Sequence, residues 1–313
     1  MSDKKVIATR ESFGLALAEL AKENKDIVVL DADLAEATKT IIFKKAFPER
    51  FIDIGIAEGN MVGVAAGLAA AGKIPFAASF AMFVTGRAYE QIRNSVGYPG
   101  LNVKLAGSHA GISTGEDGAT HQCLEDIALM RTIPGMVVLN PADHYEMMAA
   151  TKAAAEYKGP VYIRLGRLAI ETFNDPENYN FELGKGITLH EGDDITVVAT
   201  GLVVNEALKA VKNLENSGIN ARLINIHTIK PIDAEILQKA AKETGKIITI
   251  EEHNIIGGLA DAVALAIGEN PVPIVRIGVN DTYGYSGPAQ QLLEIFGLTA
   301  NGIEKVIRKE LNA

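Results

Sequence analysis

A single carboxylate, Glu58, stands between a short apolar stretch and a run of small residues in FIDIGIAEGNMVGVAAGLAAAG (residues 51–72), and a charge in that setting needs a partner. Two readings are open. An acid at the start of a helix is favoured by the helix dipole and needs no further purpose. A carboxylate kept in an apolar interface can instead hydrogen-bond a heterocyclic cofactor. A second constellation is SHAGISTGEDGATHQ (residues 108–122), which gathers His109, His121, Glu116 and Asp117 among the glycines Gly111, Gly115 and Gly118. Such glycines permit positive backbone dihedrals and close approach of a ligand. The segment lacks His-x-x-x-His spacing, which argues against a metal site. A polyhydroxylated, anionic substrate suits the mixture better, with histidine and aspartate reading hydroxyls. Arg10, Arg87, Arg164 and Arg167 are available to hold a phosphate.

These residues need a frame, and the hydrophobic pattern supplies one. Strand-like runs are expected at 27–30, 51–54, 75–79, 103–107, 136–140 and 161–165, with helical patterns between most of them. That order is what a doubly wound parallel sheet requires, with ligands taken at the carboxyl ends of the strands. Asp33, Glu58, Phe80, His109 and Arg167 all fall just beyond such ends. Residues 173–194 turn polar and irregular, and periodicity then resumes with strands expected at 195–199, 221–226, 246–251 and 274–277. Helices are expected near 204–217, 233–243 and 259–267, with Gly257 and Gly258 forming a helix-entry turn. The fold class is therefore α/β, with two doubly wound, mainly parallel-sheet domains over residues 1–183 and 190–313.

Composition narrows the function. The 313 residues, 48% of them hydrophobic, suffice for two cores. A net charge of -9 disfavours nucleic acid or an anionic membrane as partner. There is no run of about 18 apolar residues, and MSDKKVIATR lacks the apolar stretch of a signal peptide, so a cytoplasmic protein is expected. The lone cysteine, Cys123, excludes an internal disulfide and a multi-cysteine metal site, and a small buried thiol explains it more simply than a nucleophile.

Several segments, in order, resemble the C-terminal half of transketolase, a pyrimidine-binding domain followed by the transketolase C-terminal domain. They are IATRESFGLALAEL, DADL, IFKKAFPERFIDIGIAEGNM, PFAASFAMFVTGRAYEQIRNS, GSHAGISTGEDGATHQ, IRLGR and HTIKPID, and they span nearly the whole chain. The resemblance implies thiamine diphosphate as cofactor. Glu58 matches the glutamate that hydrogen-bonds N1′ of the aminopyrimidine and so promotes loss of the thiazolium C2 proton. Phe80 and Phe83 match aromatics beside that ring, Phe83 being the candidate for direct stacking, although the FAMF spacing alone would read as ordinary core. Asp33 matches an acid on the thiazolium side. His121, the second catalytic candidate, and Asp117 match contacts to sugar hydroxyls. Arg10, His109 and Arg167 match a phosphate-binding set that Thr38 could join. Arg87 and Arg164 are read as structural, and His144, His190, His227 and His253 are unassigned.

One departure from the family matters. Gly-Asp-Gly, which with an asparagine holds the divalent metal (Mg²⁺ or Ca²⁺) and the diphosphate, is absent from this sequence. The resemblance therefore implies a split transketolase, active with an N-terminal, diphosphate-binding partner subunit in an α2β2 complex. It would move a two-carbon ketol unit between sugar phosphates, in the pentose phosphate pathway or in the breakdown of less common sugars. Two other thiamine enzymes stay open, the β subunit of a 2-oxo-acid dehydrogenase and a deoxyxylulose-phosphate-synthase-like half. A non-catalytic scaffold is the alternative from another class.

Overall fold

The computed structural model describes residues 5–312. Its first sheet has seven strands in the spatial order Thr228–Lys230, Val137–Leu139, Val161–Arg164, Lys104–Ser108, Ile74–Phe80, Ile27–Asp31, Phe51–Asp53. All neighbours are parallel except Thr228–Lys230, which pairs antiparallel with Val137–Leu139. The six strands expected from the first half are all present, with ends shifted by one residue at most. The seventh, Thr228–Lys230, comes from the second half and was not expected. From Ile27–Asp31 the chain steps outward to the edge strand Phe51–Asp53, then returns past it to Ile74–Phe80. The connections diverge there, leaving an opening at the carboxyl ends of adjacent strands.

Two expectations about this region change. The short apolar stretch before Glu58 is not a buried strand throughout: Phe51–Asp53 lies at the sheet edge, half-buried, with Asp53 exposed. The FAMF segment is also not one α-helical turn. Phe80 closes the strand Ile74–Phe80, and Phe83 sits in a wide i→i+5 turn, Met82–Arg87.

The helix Thr9–Glu23 buries Phe13, Ala16, Leu17 and Ala21, the i, i+3/i+4 stripe that an amphipathic helix lays on a sheet. Arg10 is thereby fixed in its first turn. The helix Glu58–Ala70 begins at Glu58 itself and buries Met61, Val62, Ala65 and Ala66. A two-stranded antiparallel ribbon, Val6–Ala8 with Ala169–Glu171, ties the start of the described chain to the segment after Arg167.

The second sheet runs Ile274–Val279, Ile247–Asn254, Ile195–Ala199, Ala221–Asn225, Ile187–His190. The first four are parallel, as expected, and Ile187–His190 adds an antiparallel edge from within the segment read as irregular. Its helices Val203–Glu215, Ala234–Thr244 and Leu259–Ala266 match the expected ones, and Gly258 caps the last. Among the described residues no helix is long and apolar enough to cross a membrane.

Candidate functional site

Glu58 is 3% exposed, and its neighbours hold it loosely. Arg87 Nη1 lies 3.4 Å and 3.5 Å from its two oxygens, and Ser79 Oγ donates to Oε1 at 3.4 Å. These contacts sit at the outer limit of hydrogen bonding, so the carboxylate keeps acceptor capacity. The Arg87 guanidinium also lies over the Phe83 ring, 4.2 Å from its centroid. Arg87, which the sequence left as structural, thus links the buried acid to the aromatic side chains.

From Phe83 the contacts continue in two directions. His121 meets the ring edge-on at 5.2 Å, and Phe80 stacks on it at 5.7 Å. Phe80 in turn stacks on His109 at 3.9 Å. His109 Nε2 is 3.1 Å from Arg10 Nη1, and the same Arg10 nitrogen donates to the Ala37 carbonyl at 2.8 Å. Arg167 donates to the Thr114 carbonyl and to Glu116 Oε2, the latter at 2.8 Å. Two guanidiniums and an imidazole from three distant segments therefore share one neighbourhood. Burial, and then Arg167, lower the pKa of Arg10, against the opposing pull of Glu11. Burial first, followed by Arg10, Arg167 and His121, pushes His109 down to about 3. His109 adopts the left-handed backbone region (φ 56°), and its carbonyl accepts from Thr114 Oγ1 at 2.6 Å, which holds the turn.

Not every candidate joins this cluster. Asp117 is exposed at the end of the 3₁₀ segment Ile112–Asp117. Asp33, also left-handed (φ 64°), is exposed, and its amide donates to Asp53 Oδ1 at 3.1 Å. Among the described residues no hydrogen bond or ring contact joins Asp33 to the Glu58 cluster. Thr38 cannot offer its hydroxyl to a phosphate as expected. It is buried, and Oγ1 donates to Asp31 Oδ2 at 2.8 Å.

Asp31 is a residue the sequence did not single out. Thr40 Oγ1 also donates to its Oδ2 at 2.8 Å, and the Leu34 amide to Oδ1 at 2.6 Å, so it pins the loop that holds Arg10 through Ala37. Burial raises Asp31 to about 6 in spite of those donors. Nothing in DADL distinguishes it from Asp33; the difference is that Asp31 ends a strand buried along its whole length, whereas Asp33 lies beyond it. Arg164 does prove structural, buried and paired with Asp126 at 2.7 Å.

Beside Phe83 and Arg87 a pocket of about 640 Å³ opens between the two halves, lined also by Thr120, Gln122, Asn254 and Tyr283. Among the described residues no group of three His, Cys, Asp or Glu side chains could hold a metal ion. A carboxylate with spare acceptor capacity beside a half-buried aromatic face fits a heterocycle bearing a hydrogen-bond donor. Two guanidiniums near a neutral imidazole fit an anion.

The family models decide the kinship. The transketolase pyrimidine-binding domain matches residues 5–172, and the transketolase C-terminal domain matches residues 184–303. The chain belongs to the transketolase family. It is 50% identical over 305 residues to a chain of Methanocaldococcus jannaschii described as a transketolase C-terminal section, covering 96% of each. It is 47% identical to the 6-deoxy-6-sulfo-D-fructose transketolase subunit of a Clostridium species, covering 94% of this chain and 91% of that one. A solved split-gene transketolase, described as an inactive β4 tetramer, superposes with a TM-score of 0.90 at 53% identity, covering 98% and 99% of the two chains. Against human transketolase, 37% identical, the match covers 96% of this chain but only 49% of the longer one. This transketolase-family chain accordingly corresponds along nearly its whole length to C-terminal sections and subunits of split transketolases. The family is thiamine diphosphate-dependent.

Proposed function

We propose that this chain, with a diphosphate-binding partner subunit, transfers a two-carbon ketol unit from a ketose phosphate to an aldose phosphate. The observation that carries the proposal is the unbroken run of contacts from Glu58 through Arg87, Phe83 and Phe80 to His109 and Arg10. It places a loosely held buried carboxylate within a few side chains of an anion-ready pair of guanidiniums. Residues 1–183 would form the pyrimidine-binding domain and 190–313 the C-terminal domain.

Thiamine diphosphate, when bound, supplies a nucleophilic carbon and an electron sink. This chain's residues do the rest. Glu58 would accept a hydrogen bond from the pyrimidine and hold that proton, Phe83 and Phe80 would supply the apolar wall, and Asp33 would be the acid on the thiazolium side. His121 and Asp117 orient the sugar hydroxyls. Arg10, His109 and Arg167 bind the phosphate, and Arg10 and Arg167 repel each other less once an anion lies between them. In the net reaction the C2–C3 bond of the donor breaks as its C3 hydroxyl loses a proton. A new bond then forms to the acceptor's carbonyl carbon, whose oxygen takes a proton. The metal and diphosphate would be held by the partner, in an α2β2 complex. A relative named for a sulfo sugar supports a preference for anion-tailed sugars without fixing which one.

The test is a ketol-transfer assay with xylulose 5-phosphate, ribose 5-phosphate, thiamine diphosphate and Mg²⁺. Activity should arise only on mixing the two subunits, and Glu58→Ala should lower it at least about 100-fold. Full activity from this chain alone, or in the Glu58→Ala complex, would overturn the proposal.

A further inference from the structure

The strand Ile247–Asn254 of the second sheet ends beneath the loop that carries His109, Asp117 and His121. Its Glu252 is 2% exposed and is fixed from both ends. Arg164, from the first sheet, donates through Nη2 to the Glu252 carbonyl at 2.8 Å. On the other side Glu252 Oε1 accepts the Ser113 amide at 2.5 Å. Gly111 stands directly against this side chain, and a Cβ there would overlap the Glu252 carboxyl carbon. The φ of Gly111, 86°, already favours glycine, so conformation and close approach demand the same residue.

Glu252 Oε2 is buried with no hydrogen-bond partner. The Ser113 hydroxyl lies close enough to favour the ionised carboxylate without meeting hydrogen-bond geometry. Burial pushes the Glu252 carboxyl up to about 7, opposed by Arg164 and Ser113. A half-satisfied buried acid is an unfavourable way to fill space, and an apolar side chain would pack there at less cost.

A second strut lies at the other end of the same loop. Gln122 Nε2 donates to the carbonyls of Ile112 at 3.3 Å, Gly115 at 3.1 Å and Tyr285, from the second half, at 2.8 Å. Gly284 leaves room for the Gln122 amide, which a Cβ would overlap. The loop is thus moulded from below and from its end by the C-terminal half.

We infer that Glu252 is a positioning residue for loop 109–122, through which the C-terminal half sets the side chains that read the sugar. The inference rests on the ketol-transfer reading for its kinetic consequence, and on geometry alone for the ordering of the loop. Both are measured on the complex with the partner subunit. Glu252→Ala should raise KM for the ketose phosphate about tenfold while half-saturation by thiamine diphosphate stays within twofold. Glu252→Gln, which keeps an acceptor for the Ser113 amide, should recover most of that loss. Amide hydrogen exchange should rise across residues 109–122 in Glu252→Ala and stay unchanged in the Glu58–Ala70 helix.

An unchanged sugar KM in a folded Glu252→Ala complex, or sugar and cofactor constants that move together, would overturn the inference. If Glu252→Ala does not fold, Glu252→Asp, which withdraws the carboxylate from the Ser113 amide by one methylene, is read by the same two constants and the same exchange pattern. If the wild-type complex transfers no ketol unit, the functional proposal fails, and the exchange pattern still decides the role of Glu252.

Discussion

The protonation state of His109 follows from its neighbours. Arginine only donates, so the 3.1 Å contact with Arg10 makes Nε2 the acceptor and leaves the proton on Nδ1, which reaches Ser108 Oγ at 2.9 Å. A neutral ring agrees with a pKa pushed down to about 3, chiefly by burial. In the unfolded chain the imidazole titrates near 6.5, so between about 6.5 and 3 the unfolded state binds a proton that the native state does not. This group's contribution is complete above 6.5 and is lost as the pH falls through that window. His109→Gln should therefore flatten the fall of Tm with acidification from pH 6.5 to 4, and an unchanged slope would exclude His109 as a source of acid lability. Arg10 gives a kinetic counterpart. If it binds the substrate phosphate, Arg10→Met removes a charge-assisted bond of about 1.5–3 kcal/mol, or roughly 10- to 100-fold in KM for phosphorylated sugars. A non-phosphorylated ketose should show no such change, and an equal loss for both would place Arg10 outside the phosphate site.

Elements were legible where the chain signals them locally. The strands IVVLD and VYIR are apolar and rich in β-branched residues and could be located from pattern alone, while KLAGS has no β-branched residue and carries only a short apolar signal; the loops after KLAGS and VYIR carried His109 and Arg167 with them. Short strands gave no such signal. Thr228–Lys230 and Val6–Ala8 are strands because a distant partner supplies the ladder, and Ile187–His190 is hidden in a polar stretch for the same reason. Glu58 stood out against its apolar surroundings, whereas Arg87 and Glu252 have roles set by contacts distant in sequence, and Asp31 by the way the loop 34–40 folds back onto it. The helix His144–Glu156 shows how much one such contact can weigh. Its cap, Asp143, is fully buried, with Oδ1 accepting the Glu146 amide at 3.0 Å and Oδ2 accepting the amides of Phe173 and Asn174 at 3.0 and 2.9 Å. It caps the helix and also pins the start of the linker between the two sheets. Asp143→Ala leaves three amide donors unpaired, one buried and two half-buried, and should cost about 3–5 kcal/mol, while Asp143→Asn should cost about 1–2. Urea unfolding midpoints measure both, and a loss below about 1 kcal/mol for alanine would mean that water reaches these amides.

The whole molecule is bound together by contacts that cross between its halves. The strand Thr228–Lys230 completes the first sheet from the second half, and Lys230 Nζ donates to the carbonyls of Arg131 and Ile133 at 2.8 and 2.6 Å. Arg131 reaches back to the carbonyls of Gly257 and Gly258. At the centre Arg164 pairs with Asp126 at 2.7 Å and 3.2 Å while also holding the Glu252 carbonyl, and Tyr162 donates to Asp126 at 2.7 Å. Both members of the ion pair are fully buried or nearly so, at 4% and 0% side-chain exposure. Arg164 overcomes the burial of Asp126 and keeps its carboxyl below the usual range. Removing one partner strands the other's charge, so Arg164→Met should destabilise by about 3–5 kcal/mol, whereas Arg164→Met with Asp126→Leu should recover part of that loss. Wild-type protein should unfold in one cooperative transition, because neither sheet can open without exposing donors that the other half satisfies. Arg164→Met, which also releases Glu252, should uncouple the halves and give two transitions by calorimetry. A single transition in that variant, displaced without broadening, would mean that the shared strand and the Lys230 and Arg131 contacts suffice to hold the two sheets as one unit.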